Sequence, residues 1–278
     1  MSPQSIALLT GKVRCIDTGG PGPAVLLTHG IGESLEFWHP QIEALGKTVR
    51  LVAWDMPGHG ESDIPAAVMD LQAVAHSAWL LLDHLGIESA HLVGNSLGAA
   101  VSLRMLGQKP ARTRSLLLAN SATLGPDVFG AFKAMTLPLL GELMNKPSAK
   151  GVEMQIKAIV HRTEAITPSV RAAIERNIHR PGGAAYFLAT LRMMTSLRGQ
   201  SAVVWQESHQ LLRQVKVPTL VLHGQQDVVL PVKHSEQAHA LVPGSELLIL
   251  DGCGHTPQLE QPFVFNARLA ELVRRAEN

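Results

Sequence analysis

Cysteine is nearly absent: Cys15 and Cys253 lie far apart and form no CxxC pattern. That usage gives no disulfide framework and suits a chain kept reduced inside a cell. An excess of either charge is also missing. With 24 Lys or Arg against 23 Asp or Glu, the formal net charge is +1, which excludes a global electrostatic footprint for nucleic acid or an anionic membrane. No apolar run approaches the roughly 18 residues of a membrane span. The first residues, MSPQSIALLTGKVRC, lack a basic start followed by a long apolar stretch, so no signal peptide is expected. These absences predict a cytoplasmic chain with neither nucleic-acid nor membrane partners. They leave homo-oligomerisation open.

What the sequence does have is apolar bulk. Its 278 residues are 46% hydrophobic and 17% charged, which suits one large domain or a domain carrying an insertion. A chain of this length buries roughly three quarters of its unfolded surface, so it needs no metal or disulfide to hold it together. Short apolar runs bounded by Gly, Pro or Asp recur at residues 24–30, 49–55, 90–95, 113–120, 218–224 and 245–252. They are rich in Val and Leu without alternation, as expected of strands buried on both faces. Residues 71–86 and 97–108 have apolar positions at helical spacing, and the first of these ends on a glycine. The start of the chain, IALLTGKVRCIDTG, reads as a hairpin. Together these predict an α/β fold with a mostly parallel, eight-stranded sheet and helices on both faces.

The rhythm stops near Ser121 and resumes near Pro218. Between them the pattern is helical, broken by Pro126, Pro138, Pro147, Pro168 and Pro181, with no convincing buried strand. Five of the nine methionines fall there: Met135, Met144, Met154, Met193 and Met194. Residues 124–205 also hold ten Lys or Arg against five Asp or Glu. The expected division is a core of residues 1–123 and 206–278 with a helical cap at 124–205. The cap methionines are read mainly as its own small core, with an adaptable pocket lining as the other option. Trp38, Trp54, Trp79 and Trp205 are read as packing residues, with Trp205 a candidate hinge contact.

One stretch resists a packing account. In HLVGNSLGAAVSL, residues 91–103, Ser96 stands between Gly94 and Gly98 where a strand gives way to a helix. A tight strand-to-helix turn leaves no room for flanking side chains, so two glycines expose the serine above the sheet. The first helical N–H groups, starting at Leu97, then point at whatever approaches its oxygen, which favours charge developing on an attacked carbonyl. Asn95, beside the serine, either orients a neighbour or fits the turn.

A serine hydroxyl needs a base, normally a histidine held by a carboxylate. Among 13 histidines, His255 stands out, because DGCGHTPQLEQP is a glycine-rich loop directly after an apolar run. Asp227, in VLHGQQDVVLP, also follows a run. Asp251 reads better as a turn residue, and Asp127 would serve only if the acid followed the preceding strand.

The order Ser96, Asp227, His255, with HGIG at 29–32, WDMPGHGESD at 54–63, GNSLG and GHTPQLEQP, resembles the α/β-hydrolase family over nearly the whole chain. The resemblance implies Ser96 as nucleophile, His255 as base and Asp227 as orienting acid. It implies backbone N–H groups of Ile31 and Leu97 as the oxyanion hole, with Gly30, Gly94, Asn95 and Gly98 in support. His29 and His59 are read as shaping loops. No cofactor or metal is expected: GKT at 46–48 has Gln41 where a phosphate loop needs glycine, GIG at 30–32 is followed by Leu35, and no HExxH occurs.

Family members that open epoxides or remove halide carry Asp where Ser96 stands, and epoxide openers use cap tyrosines, whereas Tyr186 is the only tyrosine here. The serine branch leaves two expectations. The first is a carboxylesterase for small or medium apolar esters. The second is a carbon–carbon bond hydrolase of meta-cleavage dienoates. Against the second, Thr256 stands where such enzymes carry an aromatic residue, and none of Arg171, Arg176 and Arg192 falls clearly where they place the arginine that holds the substrate carboxylate. A catalytically silent small-molecule binding protein is the reading from another class.

Overall fold

The computed structural model describes residues 2–278. Eight strands form one sheet: β1 (Gln4–Leu8), β2 (Gly11–Asp17), β3 (Ala24–Thr28), β4 (Arg50–Trp54), β5 (Ala90–Asn95), β6 (Thr113–Ala119), and, after a two-residue hairpin of β7 (Thr195–Ser196) and β8 (Gly199–Gln200), β9 (Thr219–Gly224) and β10 (Glu246–Leu250). Their order is β1-β2-β4-β3-β5-β6-β9-β10. The pairs β1·β2 and β2·β4 are antiparallel and the other five are parallel. The chain leaves β3 to one side for β4 and to the other for β5. At such a reversal the carboxyl ends of the strands open a crevice.

Period-two side-chain alternation divides the core between the two faces of the sheet. Leu26, Val52, Leu92, Leu116, Leu118 and Val221 point to the face covered by α2 (Leu71–His84) and α3 (Leu97–Gln108). Val25, Leu27, Leu51, Val93, Leu117 and Leu222 point to the opposite face, covered by α1 (His39–Leu45) and the C-terminal α12 (Pro262–Glu277). Trp38, Trp54 and Trp79 are wholly buried. Helix α2 is capped as its sequence suggests: Asp70 accepts from the Ala73 N–H, and Gly86 takes φ 68° just beyond its end. Strand β10 departs from the expectation of burial on both faces. It is an edge strand and is half-exposed along most of its length.

Between β6 and β9 lie α4 (Gly130–Met135), α5 (Leu140–Met144), α6 (Ala149–Ile159), α7 (Pro168–His179), α8 (Gly183–Met194) and α9 (Ala202–Leu212), followed after β9 by α10 (Lys233–Leu241) and α11 (Pro257–Glu260). Helices α6 and α7 share a small apolar cluster of Val152, Ile156, Ile159, Val170 and Ile174 with Phe37 and Leu259. Helix α9 sides with the core. It begins at Ala202, and Arg104 of α3 reaches its Val204 carbonyl, its Ser208 hydroxyl and its Glu207 carboxylate. Among the described residues, no helix is long and apolar enough to cross a membrane.

Candidate active site

Ser96 sits at the turn from β5 into α3 with φ 53° and ψ −116°, a backbone conformation that costs an L-residue free energy and is held only by its surroundings. The glycines explain how. A Cβ on Gly94 would lie 2.3 Å from the Ala99 nitrogen and the Gly98 carbonyl, and one on Gly98 would lie 2.0 Å from the Thr28 carbonyl oxygen. The helix start is thus pressed directly onto β3 and β5. Leu97 is the first residue of α3, so its N–H has no intrahelical acceptor.

The HGIG loop leaves β3 beside it. The Gly30 carbonyl is held by two donors: the Glu33 N–H at 3.3 Å and the His29 ring at 2.7 Å. Since His29 Nε2 accepts from the Met56 N–H, its Nδ1 carries the proton, and burial lowers its pKa to about 4. A trans peptide whose oxygen is anchored at one end must aim its N–H the other way. The Gly30–Ile31 peptide therefore presents the Ile31 N–H away from that anchor. His59 likewise holds a loop: its Nδ1 faces the Pro57 carbonyl at 3.1 Å, and burial lowers its pKa to about 3.

Asp227, beyond the end of β9, is buried and crowded with donors. Its Oδ1 accepts from the N–H groups of Val229 and Leu230 at 2.7 and 3.1 Å, while Oδ2 accepts from Asn120 Nδ2 and faces His255 Nδ1, each at 2.7 Å. His223 Nε2 stands 3.2 Å from the same oxygen. Burial alone would push this carboxyl up, but the two histidines overcome it and hold the pKa well below the usual range. For His255, burial opposes charge, yet Asp227, Glu33 and Glu260 together raise the pKa above its ordinary 6.5. The other two carboxylates considered lie elsewhere: Asp127 pairs with Lys233, and Asp251 accepts from Gln226.

Two connections steady the His255 loop. Asn95 Nδ2 donates to the His255 carbonyl at 2.9 Å, so this side chain orients a neighbour. The His255 N–H and the Thr256 hydroxyl both donate to the Ile159 carbonyl, and Glu260 accepts from the N–H groups of His161 and Arg162.

Ser96 and His255 line one cavity of about 180 Å³ with Ile31, Glu33, Phe132, Phe187 and Val229. Among the described residues, Ser96 Oγ makes no hydrogen bond, to His255 or to any other group, and the two residues meet as walls of this cavity. Met135, Met144 and Met154 also line it, so three of the five methionines read mainly as packing contribute to the wall. Arg171, Arg176 and Arg192 do not: the first pairs with Glu153 and Glu175, the second with Glu36 and Glu61, and the third with Glu142. Arg180 lines the cavity but donates to the Gly60 carbonyl at 2.7 Å. Among the described residues, no group of three or more His, Cys, Asp or Glu is placed to hold a metal ion.

Sequence reasoning missed two residues here. Asn120, the residue just after β6, takes φ 44° and bonds Asp227, the Gly254 carbonyl and the Gly224 N–H. Glu33 is a carboxyl turned into the protein, 2% exposed.

The model of the alpha/beta hydrolase fold family matches residues 23–262. The chain belongs to the α/β-hydrolase family. A 2-hydroxy-6-oxononadienedioate/2-hydroxy-6-oxononatrienedioate hydrolase of Comamonas testosteroni is 30% identical over 90% of this chain and 87% of its own length. An uncharacterised protein of Mycobacterium tuberculosis is 32% identical over 95% of this α/β hydrolase and 78% of its own length. Among solved structures, a thermophilic esterase from Thermogutta terrifontis superposes with a TM-score of 0.80 at 25% identity, covering all of both chains.

Proposed function

We propose that this α/β hydrolase cleaves small or medium carboxylic esters with an apolar acyl group, through an acyl-enzyme on Ser96. The observation that carries this reading is that a free serine hydroxyl and an Asp227-bonded imidazole face one apolar cavity. In the first half-reaction His255 takes the Ser96 proton as Oγ attacks the ester carbonyl. The carbonyl oxygen gains charge beside the N–H groups of Ile31 and Leu97. Collapse expels the alcohol, which receives the proton from His255. Water, deprotonated by the same ring, then releases the acid and restores Ser96. Asp227 fixes the ring tautomer and stabilises the imidazolium. Helices α4 to α8 act as the cap, supplying Phe132, Met135, Met144, Met154 and Phe187 to the acyl pocket.

A second reading is carbon–carbon bond hydrolysis of a 2-hydroxy-6-oxo-dienoate, supported by the Comamonas relative's activity. Such substrates carry carboxylates. The three candidate arginines are engaged by Glu partners outside the cavity lining, which weighs toward the ester, whereas Arg180 and Lys146 in the lining are the cations a dienoate carboxylate would have to use. Turnover of p-nitrophenyl butyrate against that of a 2-hydroxy-6-oxo-dienoate tests the choice. A kcat/KM for the dienoate well above that for the ester overturns it. A fluorophosphonate probe tests the chemistry common to both: labelling at Ser96 is expected, and folded protein that stays unlabelled argues for a binding role.

A further inference from the structure

Among the described residues, Glu33 is the one carboxyl that lines the cavity, and the proposed mechanism does not use it. It is buried, and among the described residues it forms no ion pair. Its Oε2 accepts from the Gly30 N–H at 2.7 Å, while its own N–H donates to the Gly30 carbonyl at 3.3 Å. The carboxyl lies so close over Gly30 that a Cβ there would meet Oε2 at 2.9 Å. The residue thus grips both sides of the glycine whose next peptide carries the Ile31 N–H.

The charged groups around it set what its ionisation does. His255, His59, Arg180 and Lys146 share the cavity with it. Asp227 and Glu260 add their charges to the His255 ring, and His29 bonds the Gly30 carbonyl. His59 and His29 stay neutral near pH 7, since burial holds both low. Arg180 is spent on backbone carbonyls, and Lys146 is exposed. Both keep their charge, but the cation that bears on the Glu33 carboxyl, lowering its pKa against burial, is the His255 ring once it takes up a proton.

We propose that Glu33 is a positioning residue of this site, clamping the peptide before Ile31 and acting through His255 as a second negative charge that favours its imidazolium. This rests on the reading of His255 as the base. A carboxylate beside the imidazole stabilises the charge created as Ser96 is deprotonated, in the manner of Asp227 but without touching the ring nitrogens. Burial raises the Glu33 pKa to about 7, the charges of Asp227 and Glu33 raise that of His255, and the two groups are coupled in their titration.

The test compares Glu33→Gln and Glu33→Ala with the intact chain. Glutamine keeps an acceptor for the Gly30 N–H and loses the charge. Its expected effect is to lower the pH at which His255 titrates by about half a unit to one unit, seen in the imidazole proton resonances and in the acid limb of kcat/KM. Alanine also releases Gly30, and its kcat is expected about tenfold below that of the glutamine variant, with KM little changed. An unmoved His255 titration in folded Glu33→Gln overturns the electrostatic role. Equal kcat in the two variants overturns the clamp. The resonance titration needs no turnover, so it decides the matter even if the intact chain proves to be no hydrolase, an outcome read separately from fluorophosphonate labelling at Ser96.

Discussion

Asn95 donates from its amide to the main-chain oxygen of His255 at 2.9 Å, joining positions 160 apart in the chain. The residue next to the serine therefore holds the loop that carries the ring. The position of the histidine relative to the serine is thus tied through the backbone of residue 255.

Ser96→Ala is expected to fold normally and to lose about 10⁴-fold or more in kcat. Steady-state hydrolysis of p-nitrophenyl butyrate, with circular dichroism as the folding control, checks it. Retained turnover would remove Ser96 from the chemistry.

Asp227→Asn keeps the volume but reverses the polarity toward His255 Nδ1, and should lower kcat by about 10⁴. Asn120→Ala removes one of several donors to the same carboxylate, and about tenfold is expected. If the two losses prove equal, Asn120 does more than hold Asp227.

The pH profile follows from the direction of the His255 shift. Its charged form is favoured in the folded protein, and only the neutral ring can take the serine proton. Activity should therefore fall as pH drops through a value above 6.5, about tenfold per unit below it. A kcat/KM profile from about pH 5 to 9 gives the midpoint, and one below 6.5 contradicts the assignment.

Gly98→Ala should cost about 3 kcal/mol or prevent folding, because the new Cβ would meet the Thr28 and His29 carbonyl oxygens at 2.0 and 2.5 Å. Neither oxygen can yield without moving β3. Urea denaturation measures the loss, and a change below about 0.5 kcal/mol would mean that the turn relaxes freely.

Much of this was legible in the chain. Buried parallel strands announce themselves by unbroken Val and Leu, and Ser96, Asp227 and His255 each sit in a loop directly after such a run. Glu33 was not legible, since a glutamate in a glycine-rich loop normally faces water and only the fold reveals that this one turns inward onto Gly30. Asn120 reads as a strand terminus, and its reach to Asp227 depends on β6 and β9 being neighbours. The methionines were ambiguous for a related reason. Helical spacing marks an apolar face without saying whether that face meets protein or a cavity, and Met135 does both. Strand β10 is an edge strand that reads like a central one, because an edge and a centre can share a composition.

The carbonyl of Ile159, at the end of α6, receives both the His255 N–H and the Thr256 hydroxyl. The roof of the cavity and the loop bearing the imidazole are in this way one mechanical linkage. A guest lodged against α6 therefore bears on the same carbonyl that holds the backbone of the imidazole-bearing residue.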